Sequence, residues 1–95
     1  MSEEISAQLK NEFNETSELA KSLPIGVTNQ EKLQLYAHFK QANEGDINTD
    51  RPGMMDFAGK AKWDEWNKLK GMSKQAAMEK YIQVYKDLKA KYVKD

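Results

Sequence analysis

Residues 36–67 read YAHFKQANEGDINTDRPGMMDFAGKAKWDEWN, and the rest of the chain is arranged about them. The stretch starts on one predicted helix, crosses a loop of about a dozen residues, and ends on a second helix. Gly45, Asp46, Asn48, Asp50, Pro52 and Gly53 are turn formers. A loop of that length in a short chain is usually either functional or disordered. Ile47, Met54, Met55 and Phe57 offer apolar anchors, which predicts an ordered loop packed on the helices.

Before this stretch, the spacing predicts a first helix over residues 3–23. Ser2 stands as its cap, with Glu3 and Glu4 in the first turn, where the helix dipole favours negative charge. Leu9, Phe13, Thr16, Ala20 and Leu23 recur at steps of four and three and make one narrow apolar stripe. Pro24 ends it, because the residue before proline avoids helical angles. Thr28 and Glu31 fit a capping box, so the second helix starts near Asn29. Its apolar arc is wide: Leu33, Tyr36 and Ala37 lie on one side with Lys40, while Leu35, Phe39 and Ala42 continue round it. Gly45 closes it.

After the loop, a short third helix is predicted over Lys60 to Lys70, with Trp63, Trp66 and Leu69 at helical spacing and Gly71 as its cap. Ser73 caps a fourth helix that runs to about Tyr92. Ala77, Tyr81, Val84 or Tyr85, Leu88 and Tyr92 form its apolar face. No alternating strand pattern of useful length appears. The prediction is an all-α chain of four helices with one long ordered loop between helices two and three, and residues 1–95 forming one domain.

Composition narrows the function classes. There are no cysteines, which removes disulfides and thiol chemistry and fits a reducing compartment. No apolar run approaches the roughly 20 residues that cross a membrane. The opening MSEEISAQLK is acidic and amphipathic and does not read as a secretion signal. Net charge is zero but unevenly placed. Residues 1–59 hold ten acidic and five basic side chains, and residues 60–95 hold five acidic and ten basic. Without a concentrated basic patch, the chain reads as a poor nucleic-acid binder.

Catalytic constellations are missing from the sequence. The one histidine, His38, gives neither a metal cluster nor a triad by itself, and reads as a surface or packing residue. Gly53 to Lys60 superficially resembles a phosphate loop. The glycines are one residue too far apart, however, and Ala61 stands where Ser or Thr must bind magnesium. The informative feature is a mixture of lysines with aromatics. Tyr36 and Lys40 are neighbours on one helix face. Lys60 and Lys62 flank the predicted start of helix three, and Tyr81 sits mid-helix on the fourth. Aromatic rings stack on bases, and ammonium and phenol groups hold phosphate. The plainer reading, tyrosines in the core and lysines in solvent, outweighs a nucleotide site on spacing alone.

A resemblance shifts that balance. The runs Tyr36-Ala37-His38-Phe39-Lys40-Gln41-Ala42, Gly45-Asp46-Ile47-Asn48-Thr49, Arg51-Pro52-Gly53-Met54 and Lys60-Ala61-Lys62-Trp63-Asp64-Glu65-Trp66-Asn67 resemble the acyl-CoA-binding protein family. The likeness continues through Leu69-Lys70-Gly71, Ser73, Ala77-Met78 and Tyr81, covering about two-thirds of the chain in order and spacing; the first helix matches weakly. The resemblance implies an up-down-down-up four-helix bundle that binds medium- and long-chain fatty acyl-CoA esters. The family's head-group residues fall on Tyr36, Phe39, Lys40, Lys62 and Tyr81, and on Lys21 in helix one. They imply contacts to adenine and its ribose 3′-phosphate, with the acyl chain in a groove to which Leu33 contributes.

There are departures from the family pattern. The motif's second aromatic, often tyrosine, is Phe39, so a hydroxyl contact is lost. Val27 replaces a common proline, and Asn43 stands where a small residue is usual. The implied protein is a cytoplasmic acyl-CoA carrier and pool former. It is expected to be monomeric, not an enzyme, without cofactor or metal, able to meet acyl-CoA-using enzymes, and without stable membrane insertion. The rival class is a helical protein-interaction module or regulatory peptide precursor.

Overall fold

Four helices form in the computed structural model, which describes residues 5–93: α1 (Ala7–Ala20), α2 (Asn29–Glu44), α3 (Phe57–Asn67) and α4 (Lys74–Tyr92). No strand occurs among the described residues. The all-α prediction therefore holds, and the differences lie at helix ends, where local capping decides.

Thr28 and Glu31 form the expected capping box. Thr28 Oγ1 accepts from the Glu31 amide at 3.1 Å, and Glu31 Oε1 accepts from the Thr28 amide at 2.8 Å. Ser73 caps α4 by accepting from the Ala76 amide at 3.0 Å. α1 is shorter than predicted. Ser6 caps it by accepting from the Leu9 amide, and the helix gives way to a turn at Lys21. The expected cap at Ser2, with Glu3 and Glu4, lies outside the described residues. α3 starts one turn earlier than Lys60, because the Asp56 carboxylate takes the otherwise free Gly59 amide at 2.9 Å. Gly71 closes the α3–α4 turn with φ +96°, a left-handed angle that a side chain disfavours.

Side-chain pairs set the helix directions. Tyr36 meets Lys62 and Lys40 meets Trp66, so both helices advance together and α2 runs parallel to α3. Glu31 at the start of α2 meets Lys91 and Tyr92 at the end of α4, so those two are antiparallel. Ile5 lies beside Ser73–Gln75, while Phe13 packs on Tyr81, so α1 and α4 run the same way. The result is up, down, down, up. α4 packs on α1 and α2, and α3 packs on α2. Phe13, Ala42, Ala77, Met78, Tyr81 and Ile82 make the buried core, with Leu9, Ala20 and Leu35 at its edge. Val27, at the position of the missing proline, is also buried.

The loop is held by polar contacts rather than apolar ones. Met54, Met55 and Phe57 are 81%, 84% and 71% exposed, and only Ile47 of the expected anchors is half-buried. Arg51 forms a two-pronged pair with the Asp64 carboxylate at 2.9 Å on each arm. The Trp63 indole donates to the Thr49 carbonyl oxygen at 2.9 Å. Gln41, completely buried, does most. Its amide nitrogen donates to Asp46 at 3.0 Å and to the Met72 carbonyl at 2.8 Å. Its amide oxygen accepts from the Trp66 indole at 3.1 Å. Asp46 in turn accepts from the Gly71 amide at 2.8 Å.

His38 is buried, with Nδ1 2.7 Å from the Gln34 carbonyl oxygen, so that nitrogen carries the proton and the ring is a packing residue. Glu65 is also buried, and its carboxylate accepts from Gln34 at 3.0 Å and Lys68 at 2.9 Å.

Gln41→Leu keeps the volume and removes the Gln41 bonds to Asp46, Met72 and Trp66, stranding the Met72 carbonyl. It should cost roughly 2–4 kcal/mol in a urea unfolding experiment. Glu31 supplies a pH test. The Tyr92 hydroxyl, the Thr28 amide and the Lys91 ammonium hold its carboxyl down to about 2 from the ordinary 4.5. A depressed carboxyl stabilises the fold above its unfolded value, and that contribution is lost as pH falls from about 4.5 towards about 2. Glu31→Gln should therefore be less stable at neutral pH and show a flatter acid limb in thermal melts recorded across that window.

Candidate functional site

The C-terminal half of α1, the middle of α2 and the middle of α4 meet around an aromatic group. Phe13 stacks with Phe39 at 5.7 Å between ring centres and meets Tyr81 edge-on at 5.1 Å; Phe39 and Tyr81 are 5.9 Å apart. Phe13 and Tyr81 are buried, while Phe39 keeps 37% of its surface exposed. Phe39 and Tyr81 form the floor of a hollow of about 230 Å³, whose wall includes Tyr36, Leu35, Ala20 and Lys21; Phe13 packs against both floor rings without lining it. The α-helical pitch brings Leu35, Tyr36 and Phe39 to one face of α2, and Lys21 sits at the end of α1, where the helix stops.

Burial pushes the Tyr81 phenol above the ordinary tyrosine value, so it is neutral and able to donate a hydrogen bond. Among the described residues no enclosed side-chain oxygen or nitrogen lacks a partner. The Tyr81 hydroxyl makes no hydrogen bond to another described residue, so it belongs to the accessible surface of the hollow.

Three lysines stand about this floor. Lys21 is in the wall itself. Lys62 reaches over from α3 and places its ammonium 5.4 Å from the centre of the Tyr36 ring. Lys40, one turn beyond Tyr36 on α2, lies 5.1 Å from the centre of the Trp66 ring and pairs with Glu44. Positive charge over an aromatic face is attracted by the ring quadrupole, which pre-orients these ammonium groups.

A second hollow of about 340 Å³ shares Ala20, Lys21 and Leu35 with the first, and continues along Pro24, Ile25 and Lys32. Ile25 is 97% exposed at its mouth. The two hollows make one trough between α1 and α2, with apolar walls and lysines at its edges.

Of the residues singled out in the sequence, Lys21, Tyr36, Phe39 and Tyr81 share the first hollow. Lys62 joins it through the Tyr36 ring, and Lys40 adjoins it from the next turn. Leu33 lies half-buried on α2 and lines neither hollow. The sequence reading missed Phe13 as the ring that backs Phe39 and Tyr81, because a residue on a narrow apolar stripe is indistinguishable from ordinary core until its neighbours are known. Leu35 and Ala20 were legible only as parts of apolar faces.

No group of three or more His, Cys, Asp or Glu side chains among the described residues is placed to hold a metal ion. No described helix is long and apolar enough to cross a membrane.

The comparisons with known proteins agree with one another. Residues 10–85 match the family model described as acyl CoA binding protein. An acyl-CoA-binding protein homolog from Drosophila melanogaster is 49% identical over 84 residues, covering 88% of this chain and 98% of that protein. An acyl-CoA-binding protein from Ricinus communis is 48% identical over 80 residues, covering 84% of this chain and 89% of the relative. Among solved structures, Oryza sativa acyl-CoA-binding protein 2 superposes with a TM-score of 0.85 at 42% identity, covering 87% of this chain and 92% of that one. The ACBP structure from Moniliophthora perniciosa gives 0.84 at 42% identity, over 90% of this chain and 85% of that one. With a match over most of its length and the same helical arrangement, the chain belongs to the acyl-CoA-binding protein family.

Proposed function

We propose that this protein binds medium- and long-chain fatty acyl-CoA esters and carries them as a cytoplasmic monomer, without catalysing a reaction on them. The observation that carries this reading is the joining of an aromatic floor to three lysines around one trough. A CoA head group needs both: a flat surface for adenine and cations for phosphate.

The roles follow from position. Tyr36 and Phe39 offer ring faces to the adenine. Lys62 and Lys40 supply charge to the ribose 3′-phosphate, and the neutral Tyr81 phenol donates a hydrogen bond to the head group. Lys21, in the wall shared by both hollows, meets the phosphate-bearing part of the ligand. Phe39 has no hydroxyl, so this position contributes packing alone.

Tail binding rests on the α2–α3 register. Tyr36 stands opposite Lys62 and Lys40 opposite Trp66. One turn back along both helices, Leu33 is level with the first turn of α3, where the Phe57 ring is exposed. Met54 and Met55 extend that apolar surface. A saturated tail laid there leaves water at roughly 0.8 kcal/mol per methylene, as an upper guide. A carrier of this kind keeps a detergent-like thioester off membranes until an acyl-CoA-using enzyme takes it. The alternative, a protein-interaction module or peptide precursor, has no observation in its favour.

Calorimetric titration with palmitoyl-CoA should give saturable heat at one site per chain, and no heat would sink the reading. Across saturated esters kept below their micelle concentrations, affinity should rise with chain length and then level off as the tail outgrows the groove. Affinity independent of length would mean recognition of CoA alone. Tyr81→Phe should lose about 1 kcal/mol of binding, the net worth of a typical hydrogen bond, with its unfolding midpoint unchanged. Unaltered affinity would return Tyr81 to the core.

A further inference from the structure

Each of the three lysines at the site has a partner within the protein, and the partners differ. Lys62 has the Tyr36 ring. Lys21 has Glu18 at 2.7 Å, but both side chains are 72% exposed, so water screens the pair. Lys40 has Glu44, and this pair is more sheltered, with 27% and 39% of the two side chains exposed. On its other side the Lys40 ammonium faces the Trp66 ring. That ring is buried and cannot turn, because its indole nitrogen donates to both Gln41 and the Gly45 carbonyl oxygen.

Helix stability gives little reason for a glutamate at this position. Glu44 is the last residue of α2, where the negative end of the helix dipole disfavours a carboxylate. Lysine preceding glutamate by four residues is also the weaker order for a helical ion pair. What Glu44 does have is Lys40.

We propose that Glu44 sets the affinity for the phosphate-bearing ligand by competing with the ligand's phosphate for Lys40. This rests on the reading given under Proposed function. A phosphate monoester carries close to two negative charges at neutral pH. To reach Lys40 it must displace the Glu44 carboxylate, and it then sits beside that negative charge. As it leaves, the carboxylate closes on the lysine again. Glu44 therefore weakens binding and hastens release, and it does so only for esters that carry the 3′-phosphate. A carrier that must hand its ligand on gains from such a contact.

The test is calorimetry of Glu44→Gln and Glu44→Ala against palmitoyl-CoA and its 3′-dephospho analogue, with thermal melts to compare folding. Both variants should bind palmitoyl-CoA about twofold to fivefold more tightly than the wild type, through slower dissociation, and the dephospho ester equally well. Asp87→Asn on α4 changes net charge equally and should leave the ratio of the two affinities unaltered. In a Lys40→Met background, Glu44→Gln should no longer change that ratio. Equal affinity of the wild type for the two esters overturns the phosphate assignment and this proposal with it. Discrimination by the wild type, with an unchanged or smaller ratio in the Glu44 variants, overturns this proposal alone. So does an equal gain from Asp87→Asn.

Discussion

One buried amide connects the parts of this molecule that otherwise have little reason to stay together. Gln41 bonds the α2–α3 loop through Asp46, α3 through Trp66, and the α3–α4 turn through Met72. A glutamine side chain has two donors and an acceptor oxygen, so it can satisfy several backbone and side-chain groups from one point. In a fully enclosed position each of those bonds is costly to lose, since water cannot replace it. Because the Trp66 ring is fixed this way, Lys40 has a fixed surface to lie against. The site's charge is thus positioned by a residue that does not touch the hollow.

The two ends of the bundle are tied by a second polar device. Glu31 caps α2 with one carboxylate oxygen, which also accepts from the Tyr92 hydroxyl at 2.5 Å, while the other meets Lys91 at 2.9 Å. The start of α2 and the end of α4 are held side by side. Glu65 does comparable work between α2 and α3, accepting from Gln34 on one helix and Lys68 just beyond the other. A chain of this length encloses a modest apolar core, and these bridges let loosely apposed helices keep one geometry.

The remaining surface is divided sharply. The trough joins aromatic and aliphatic walls to lysines, and the long loop leaves Met54, Met55 and Phe57 in water. Exposed apolar side chains in a chain that also carries a cationic hollow suit a ligand with a charged head and a greasy tail better than they suit solvent. Burial of the Tyr81 ring keeps its phenol neutral, while the accessible hydroxyl stays free to donate. Folding and binding share Tyr81: its ring holds α4 against Phe13 of α1 and also floors the hollow.

Much of this was legible in the sequence wherever the rule was local. The Thr28–Glu31 box, the Ser73 cap and the wide apolar arc of α2 concern residues within a turn or two of one another, so spacing alone specified them. The order of lysines and aromatics around Tyr36, Lys40, Lys62 and Tyr81 was equally plain, though spacing could not separate a site from a core. Tertiary structure decided what depends on distant neighbours. Glu31 meets Lys91 across sixty positions, and nothing in a capping box announces that partner. Of the loop anchors expected at Ile47, Met54, Met55 and Phe57 only Ile47 is half-buried, and Asp46, Thr49 and Arg51 hold the loop, because its neighbours are an indole, a carboxylate and a glutamine rather than an apolar face. Phe13 came to support the Phe39 and Tyr81 rings that floor the hollow only once the helices packed. Periodicity reports which side of a helix is apolar, and the packing of the helices decides what that side meets.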